Sequence, residues 1–151
     1  MKLSELLTPD RVILDIKEKK KDALLEALIG ELAARGGVSD PEALTREVME
    51  RENLGNTGIG RGIGFPHAKS STVEEIQVLL ARPAKPVDYG SLDGAPVTII
   101  LLIVAPSDGD NNAYLHTMAH ISRVLGKSDV REGILTAATA ADVVEIVTAN
   151  G

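Results

Sequence analysis

Apolar residues in KEKKKDALLEALIGELAARGG recur at helical spacing: Ala23, Leu24, Ala27, Leu28 and Leu32 share one side before Gly36-Gly37 ends the run. Just ahead of it, RVILDI from Arg11 to Ile16 reads as a short strand. Ser39-Asp40-Pro41 then opens a second helix, with Asp40 as cap and Pro41 at the first position, continuing through Leu44 and Val48 to about Arg51. Farther on the period changes. IQVLLA (Ile76 to Ala81) and VTIILLIVA (Val97 to Ala105) are branched apolar runs bounded by proline and glycine, the pattern of strands buried in a sheet. A long turn-rich connection, RPAKPVDYGSLDGAP, separates them. From Asn111 the helical period returns: Leu115, Met118, Ala119, Ser122 and Leu125 fall on one face, and Gly126 closes the helix. Two more helical segments follow, Val130 to Thr136 and Ala140 to Thr148. This order predicts a sheet covered by helices, and the spacing does not fit strict strand–helix alternation, so the sheet is expected to be mixed.

Length and composition narrow the picture. A chain of 151 residues, without repeat, low-complexity tract or separating linker, reads as one domain over 1–151. Hydrophobic residues at 44% and charged residues at 25% are globular values, but Phe65, Tyr89 and Tyr114 are the only aromatic residues, so the core must be aliphatic. Sixteen basic against 22 acidic side chains give a formal charge of −6, which will not gather polyanions. With so few rings to stack on bases, nucleic acid is not an expected partner. Absence of cysteine excludes disulfides, thiolate metal sites and a cysteine nucleophile, and fits a reducing compartment. Glu5 and Asp10 interrupt MKLSELLTPDR where a signal peptide needs apolar residues, so the cytoplasm is expected. VTIILLIVA is about half the roughly 20 residues of a membrane-spanning helix, so no direct membrane insertion is expected.

The candidate chemistry lies in GNTGIGRGIGFPHAKSS, Gly55 to Ser71, with a glycine at every second position from Gly58 to Gly64 just before Pro66-His67. A dinucleotide fingerprint needs glycines at positions one, three and six, and each start fails, because Ile63, Phe65 or His67 holds the last. A P-loop fails as well: Lys69-Ser70 follows Ala68, and Gly126-Lys127-Ser128 has Ile121 where the first glycine belongs. Two readings stay open. The glycines form a tight crossover onto which another segment packs closely, or their unshielded N–H groups make an anion-binding concavity beside a histidine able to carry a phosphoryl group. Pro66 restricts the chain immediately before His67.

Arg51-Glu52-Asn53-Leu54-Gly55-Asn56-Thr57-Gly58-Ile59-Gly60, followed by Gly62-Ile63-Gly64-Phe65-Pro66-His67, resembles the signature of the enzyme IIA components of the bacterial phosphoenolpyruvate-dependent phosphotransferase system, in the fructose/mannitol branch that includes the nitrogen-regulatory proteins. YLHTMAHISRVL resembles the nitrogen-type members in particular. The resemblance implies an α/β fold of the α+β type, a three-layer α/β/α sandwich with a mixed sheet, of the phosphotransferase/anion-transport-protein kind. It implies that His67 accepts a phosphoryl group from the carrier HPr, or a nitrogen-branch counterpart, and passes it to a IIB partner or holds it as a signal. Arg51 and Thr57 match site positions, and exposed N–H groups at Gly58, Gly60 and Gly62 are expected to meet the phosphate. No cofactor and no metal is implied. Tyr114-Leu115 falls where the family usually has a second active-site histidine; His116, two residues on, lies about 200° around the helix.

Each residue also has a plainer reading. Arg51 can be a last-turn arginine that complements its helix, and Thr57 a turn or capping residue. His116 and His120 have the four-residue spacing of a zinc pair, but Thr117 stands where a catalytic glutamate would be and no third ligand is evident, so a surface pair is expected. Lys69 can attract a phosphorylated partner, whereas Lys17, Lys19, Lys20 and Lys21 read as solvated charge. A functional alternative to transfer is a regulatory protein-binding module of the same fold, with phosphorylation absent or used only to switch its affinity for a target.

Overall fold

A computed structural model describes residues 3–151. The short helix α1 (Leu3–Leu6) and a 3-10 turn (Pro9–Arg11) lead into strand β1 (Val12–Ile16), followed by helices α2 (Lys21–Ala34) and α3 (Pro41–Leu54). Three short strands come next, β2 (Gly58–Gly60), β3 (Ile63–Gly64) and β4 (His67–Ser70), then the long β5 (Gln77–Pro83) and β6 (Ile99–Pro106). Helices α4 (Asn111–Leu125), α5 (Ser128–Thr136) and α6 (Ala140–Ala149) complete the chain.

The sheet runs β1-β5-β6-β3-β2, with β4 also on β6. It is mixed: β1 is parallel to β5, β5 is antiparallel to β6, β3 and β4 are parallel to β6, and β2 is antiparallel to β3. Strand β6 is apolar at almost every position because both of its faces are covered. Ile99, Leu101 and Ile103 face a core formed with Tyr114, Ile121, Val124 and Leu125 of α4, Val130 and Ile134 of α5, and Val143 and Val147 of α6. Ile100, Leu102 and Val104 face the opposite core, with Leu24, Leu28 and Leu32 of α2 and Leu44 and Val48 of α3. The sequence therefore builds a three-layer sandwich around one doubly buried strand.

Several boundaries differ from the sequence expectation. Arg11 belongs to the 3-10 turn, so the first strand begins at Val12. Helix α3 continues past Arg51 to Leu54, because nothing in Glu52-Asn53-Leu54 breaks it and Gly55 is the first residue to leave helical geometry. Asp40 caps this helix through Ala43 N at 3.1 Å, and Pro41 takes the first position.

The glycine stretch itself is a hairpin. Gly58 pairs with Gly64 and Gly60 with Ile63, and the turn Gly60-Arg61-Gly62 has φ of 87°, 58° and 81°. Two glycines supply this left-handed geometry without strain, with Arg61 held between them by its N–H to Asp93 Oδ2 at 2.9 Å. Strands β3 and β4 lie end to end along one side of β6, Ile63 opposite Ile99 and His67 opposite Ile103. Phe65-Pro66 bridges them, and Pro66 O accepts from Ile103 N at 3.1 Å, so the chain stays on β6 through the bridge.

Candidate functional site

His67 is the first residue of β4, where the sheet has an edge. Along β4 the side chains alternate: Ala68 joins the core under α2 and α3, and Ser70 donates to Glu47 Oε1 of α3 at 2.8 Å. His67 and Lys69 take the other face, where the Lys69 Nζ lies 5.6 Å from the Tyr114 ring centroid of α4. Helices α3 and α4 thus flank the edge strand from opposite sides. Between them is an open pocket of about 370 Å³ lined by Glu47, Arg51, His67, Ala68, Lys69, Tyr114, Leu115 and Met118.

The His67 imidazole is held on two sides. Its Nδ1 lies 2.8 Å from Phe65 O, and its ring meets the Phe65 ring edge-on with centroids 5.9 Å apart. A carbonyl oxygen can only accept, so Nδ1 carries the hydrogen and the lone pair of the neutral ring belongs to Nε2. Burial pushes the His67 pKa below its ordinary value, and the Arg51 cation adds to this; the Phe65 carbonyl and Glu52 oppose it. The ring is thereby neutral at pH 7, with Nε2 available as a nucleophile.

Of the residues singled out from the sequence, His67, Arg51 and Tyr114 are brought together in the pocket. Arg51 reaches there from the last turn of α3, with Nη1 donating to Gly55 O at 3.3 Å. Tyr114 is 7% exposed; burial raises its pKa, against a lowering by Arg51, so its hydroxyl stays protonated. Lys69 also lines the pocket. His116 is exposed on α4 and is not a pocket residue.

Thr57 and the glycines lie elsewhere. Thr57 is 4% exposed, and its hydroxyl donates to Glu52 Oε2 at 2.6 Å and lies 2.9 Å from the Tyr89 hydroxyl. The Gly58 N–H donates to Asn56 Oδ1 at 2.6 Å. A side chain on Gly58 would collide with Ser91 Oγ, and one on Gly62 would meet Thr98 Oγ1 at 2.7 Å. The alternating glycines therefore let the 88–98 connection lie directly on the hairpin, which is the close-packing reading of the stretch.

Sequence reasoning missed the group beneath Thr57. Glu52, 7% exposed, accepts Thr57 N at 2.9 Å as well as the Thr57 hydroxyl, and pairs with Lys21 Nζ at 2.7 Å. Lys21 Nζ also sits 4.5 Å from the Tyr89 ring centroid. The reading of Lys21 as solvated charge is corrected by this ion pair. A signal was present: Lys21 opens a helix and Glu52 ends one, each with the charge its helix dipole disfavours. Two such misplaced charges suit one another.

Comparisons with known proteins give the chain's family. The family model described as "Phosphoenolpyruvate-dependent sugar phosphotransferase system, EIIA 2" matches residues 5–150. The chain is 33% identical over 147 residues to the PTS system fructose-specific EIIABC component of Bacillus subtilis, covering 97% of this chain and 23% of that protein. It therefore spans about a quarter of that relative's length. It is 32% identical over 130 residues to a nitrogen regulatory protein of Bradyrhizobium diazoefficiens, covering 86% of this chain and 84% of the relative. The crystal structure of nitrogen regulatory protein IIA-Ntr from Neisseria meningitidis superposes with a TM-score of 0.90 at 25% identity, over 97% of this chain and 99% of that one. With a family match along nearly all of its length and the same three-layer fold, the chain belongs to the EIIA type 2 family of the phosphoenolpyruvate-dependent sugar phosphotransferase system.

Proposed function

We propose that His67 accepts a phosphoryl group on Nε2 from a phosphohistidine of HPr or an HPr-like carrier, and passes it to a IIB partner or holds it as a regulatory signal in the cytoplasm. One observation carries this reading: a neutral histidine whose Nδ1 is tied to Phe65 O stands beside Arg51 in an open pocket at a sheet edge. In the transfer, the Nε2 lone pair forms a bond to phosphorus as the carrier's N–P bond breaks. The electron pair of that broken bond returns to the carrier imidazole, and the His67 proton remains on Nδ1, hydrogen-bonded to the Phe65 carbonyl, throughout. The transition state is loose, so alignment and charge do most of the work. Arg51 and Lys69 supply positive charge for the equatorial oxygens, and the Tyr114 hydroxyl supplies a neutral donor. Thr57 and the glycines act from behind, by fixing the backbone that leads to His67.

The test is reconstitution with phosphoenolpyruvate, enzyme I and the carrier, followed by intact-mass measurement. Wild type should gain one acid-labile phosphate and His67→Ala none; a His67→Ala protein phosphorylated like wild type would overturn the assignment. Tyr114 in place of the usual second histidine favours a second reading, a regulatory module whose phosphorylation only switches partner affinity. In that case phosphorylated and unphosphorylated protein capture different targets, and no phosphate moves on to a IIB domain.

A further inference from the structure

Four groups that the pocket does not contain are joined to His67 by an unbroken line of short contacts. Lys21 Nζ holds Glu52 Oε1 at 2.7 Å, and the Glu52 carboxylate takes both the N–H and the hydroxyl of Thr57, at 2.9 and 2.6 Å. The Thr57 carbonyl in turn accepts Phe65 N at 2.9 Å, and the Phe65 carbonyl accepts His67 Nδ1 at 2.8 Å. Asn56 secures the same backbone from its other side, donating from Nδ2 to Tyr89 O at 2.7 Å and accepting Gly58 N at 2.6 Å.

An amide at position 52 has one acceptor oxygen in place of two; only a carboxylate takes the Thr57 N–H on one oxygen and the Thr57 hydroxyl on the other while matching the Lys21 charge. The cost of keeping an ion pair largely out of water is seldom returned as stability. What the pair does deliver here is a fixed backbone position at Phe65, whose N–H is held by Thr57 and whose carbonyl, on the adjoining peptide unit, decides which nitrogen of His67 is bare. Resting on the reading of His67 as phosphoryl acceptor, we infer that Glu52, neutralised by Lys21, is a positioning residue for phosphoryl transfer: through Thr57 and the Phe65 peptide it locks His67 in the tautomer that presents Nε2 to the carrier.

The test separates positioning from plain structural support and does not need a transfer partner. In the full ¹⁵N-labelled chain, wild-type His67 should show a protonated, pyrrole-like Nδ1 and a bare, pyridine-like Nε2. In Glu52→Gln both nitrogen shifts should drift towards the values of exchanging tautomers, and the rate of phosphate uptake should fall roughly ten- to a hundredfold. The double variant Lys21→Met/Glu52→Leu replaces the ion pair with apolar groups that cannot grip Thr57, so it should be more stable in urea than Glu52→Ala while His67 stays mixed. Thr57→Val, which deletes the hydroxyl with its contacts to Glu52 and Tyr89 and keeps the N–H, gives the same readout if the other variants do not fold, and Thr57→Ser should restore the wild-type pattern. Wild-type nitrogen shifts in a folded Glu52→Gln, Thr57→Val or double variant, or a bare Nδ1 in wild type, would overturn the inference. If wild type takes no phosphate from an active carrier, the acceptor reading fails on its own, and the nitrogen shifts still decide whether Glu52 sets the tautomer.

Discussion

Arg51 and Glu52 are consecutive residues on α3, about 100° apart around its axis, and they serve opposite surroundings. Glu52 turns inward to a closed group in which Lys21, Thr57 and Tyr89 occupy one another. Arg51 turns to an open pocket whose other charged and polar groups are Glu47, His67, Lys69 and Tyr114. On the function proposed above, the closed group sets backbone geometry and the open one meets an incoming charge. One helix end supplies both, so damage to the two should be separable in experiment.

The largest expected effect falls on the closed side. Glu52→Ala strands the Lys21 ammonium and leaves the Thr57 N–H and hydroxyl without their acceptor, a loss of about 3–5 kcal/mol for breaking one side of a buried pair. Urea unfolding would show it as a lower midpoint at unchanged slope. A variant with wild-type stability would erase the distinction between the two regions. Arg51→Ala should do the reverse: stability within about 0.5 kcal/mol of wild type, but phosphate uptake slower by about a hundredfold, equivalent to about 2.7 kcal/mol of transition-state stabilisation. Rapid-quench measurement of phosphohistidine formation checks it. Unimpaired uptake would leave Arg51 as a helix-end residue only.

Between these lies Gly58→Ala, a probe of the hairpin. The added methyl collides with Ser91 Oγ, so either the 88–98 connection or the hairpin must shift, at a cost of about 1–3 kcal/mol. Because Gly58 is next to Thr57, some loss of uptake should accompany the loss of stability. Stability unchanged in thermal unfolding would mean that the glycine spacing is not set by packing.

How much of this was readable from the chain follows from what each feature depends on. The buried strands were legible because VTIILLIVA has no polar residue but threonine, and helix α2 because its leucines keep a 3.6-residue period; on α4 the face read from Leu115 and Met118 is corrected, since Tyr114, Thr117, Ile121, Val124 and Leu125 are buried and Leu115 is exposed. His67 stood out because glycines, a proline and a histidine in that order suit few other purposes. Strands β2 and β3 were not legible, since glycines carry no alternation and their pairing exists only because β6 and the 88–98 connection lie against them. Nor was the orientation of Thr57: a threonine after a helix end can turn either way, and the deciding partner, Tyr89, is 32 residues distant. Lys21 and Glu52 were half legible. Their signs were wrong for their helix ends, but what they stabilise depends on how α2 packs on α3.

A change of pH sharpens the open side of the comparison. The His67 pKa is held below its ordinary value of about 6.5, by burial first and Arg51 second. The unfolded chain therefore takes up a proton at this site before the folded one does. The site's contribution to stability is complete above about pH 6.5 and is lost as the pH falls through the folded-state value. In function, Nε2 should stay bare, and phosphate uptake stay level, as the pH drops past the point where a free histidine would be half protonated. An NMR titration of the His67 ring checks this. In Arg51→Ala the midpoint should move up, since the second of the two lowering causes is gone; a midpoint unmoved or lower would mean that the guanidinium exerts no field on the ring.

The smallest expected effect is that of Tyr114→Phe. The ring packs in the core with Ile121 and Val124, and only the hydroxyl is removed, so the fold is kept. A neutral donor to a charged oxygen in a pocket open to water contributes about 1.5 kcal/mol, the lower end for a bond to a charged group, which is roughly a tenfold change in rate. The tyrosine cannot act as a proton donor of much greater consequence, because burial raises its pKa away from neutrality and Nε2 transfer neither takes up nor releases a proton on this protein. Single-turnover phosphorylation by the carrier should therefore slow about tenfold in Tyr114→Phe, well short of the loss in Arg51→Ala. A loss as large as that of Arg51→Ala would place the hydroxyl on the phosphoryl group in the transition state and give Tyr114 the role of the family's second histidine. No loss at all would leave Tyr114 as the wall of the pocket, with the cations to carry the charge alone.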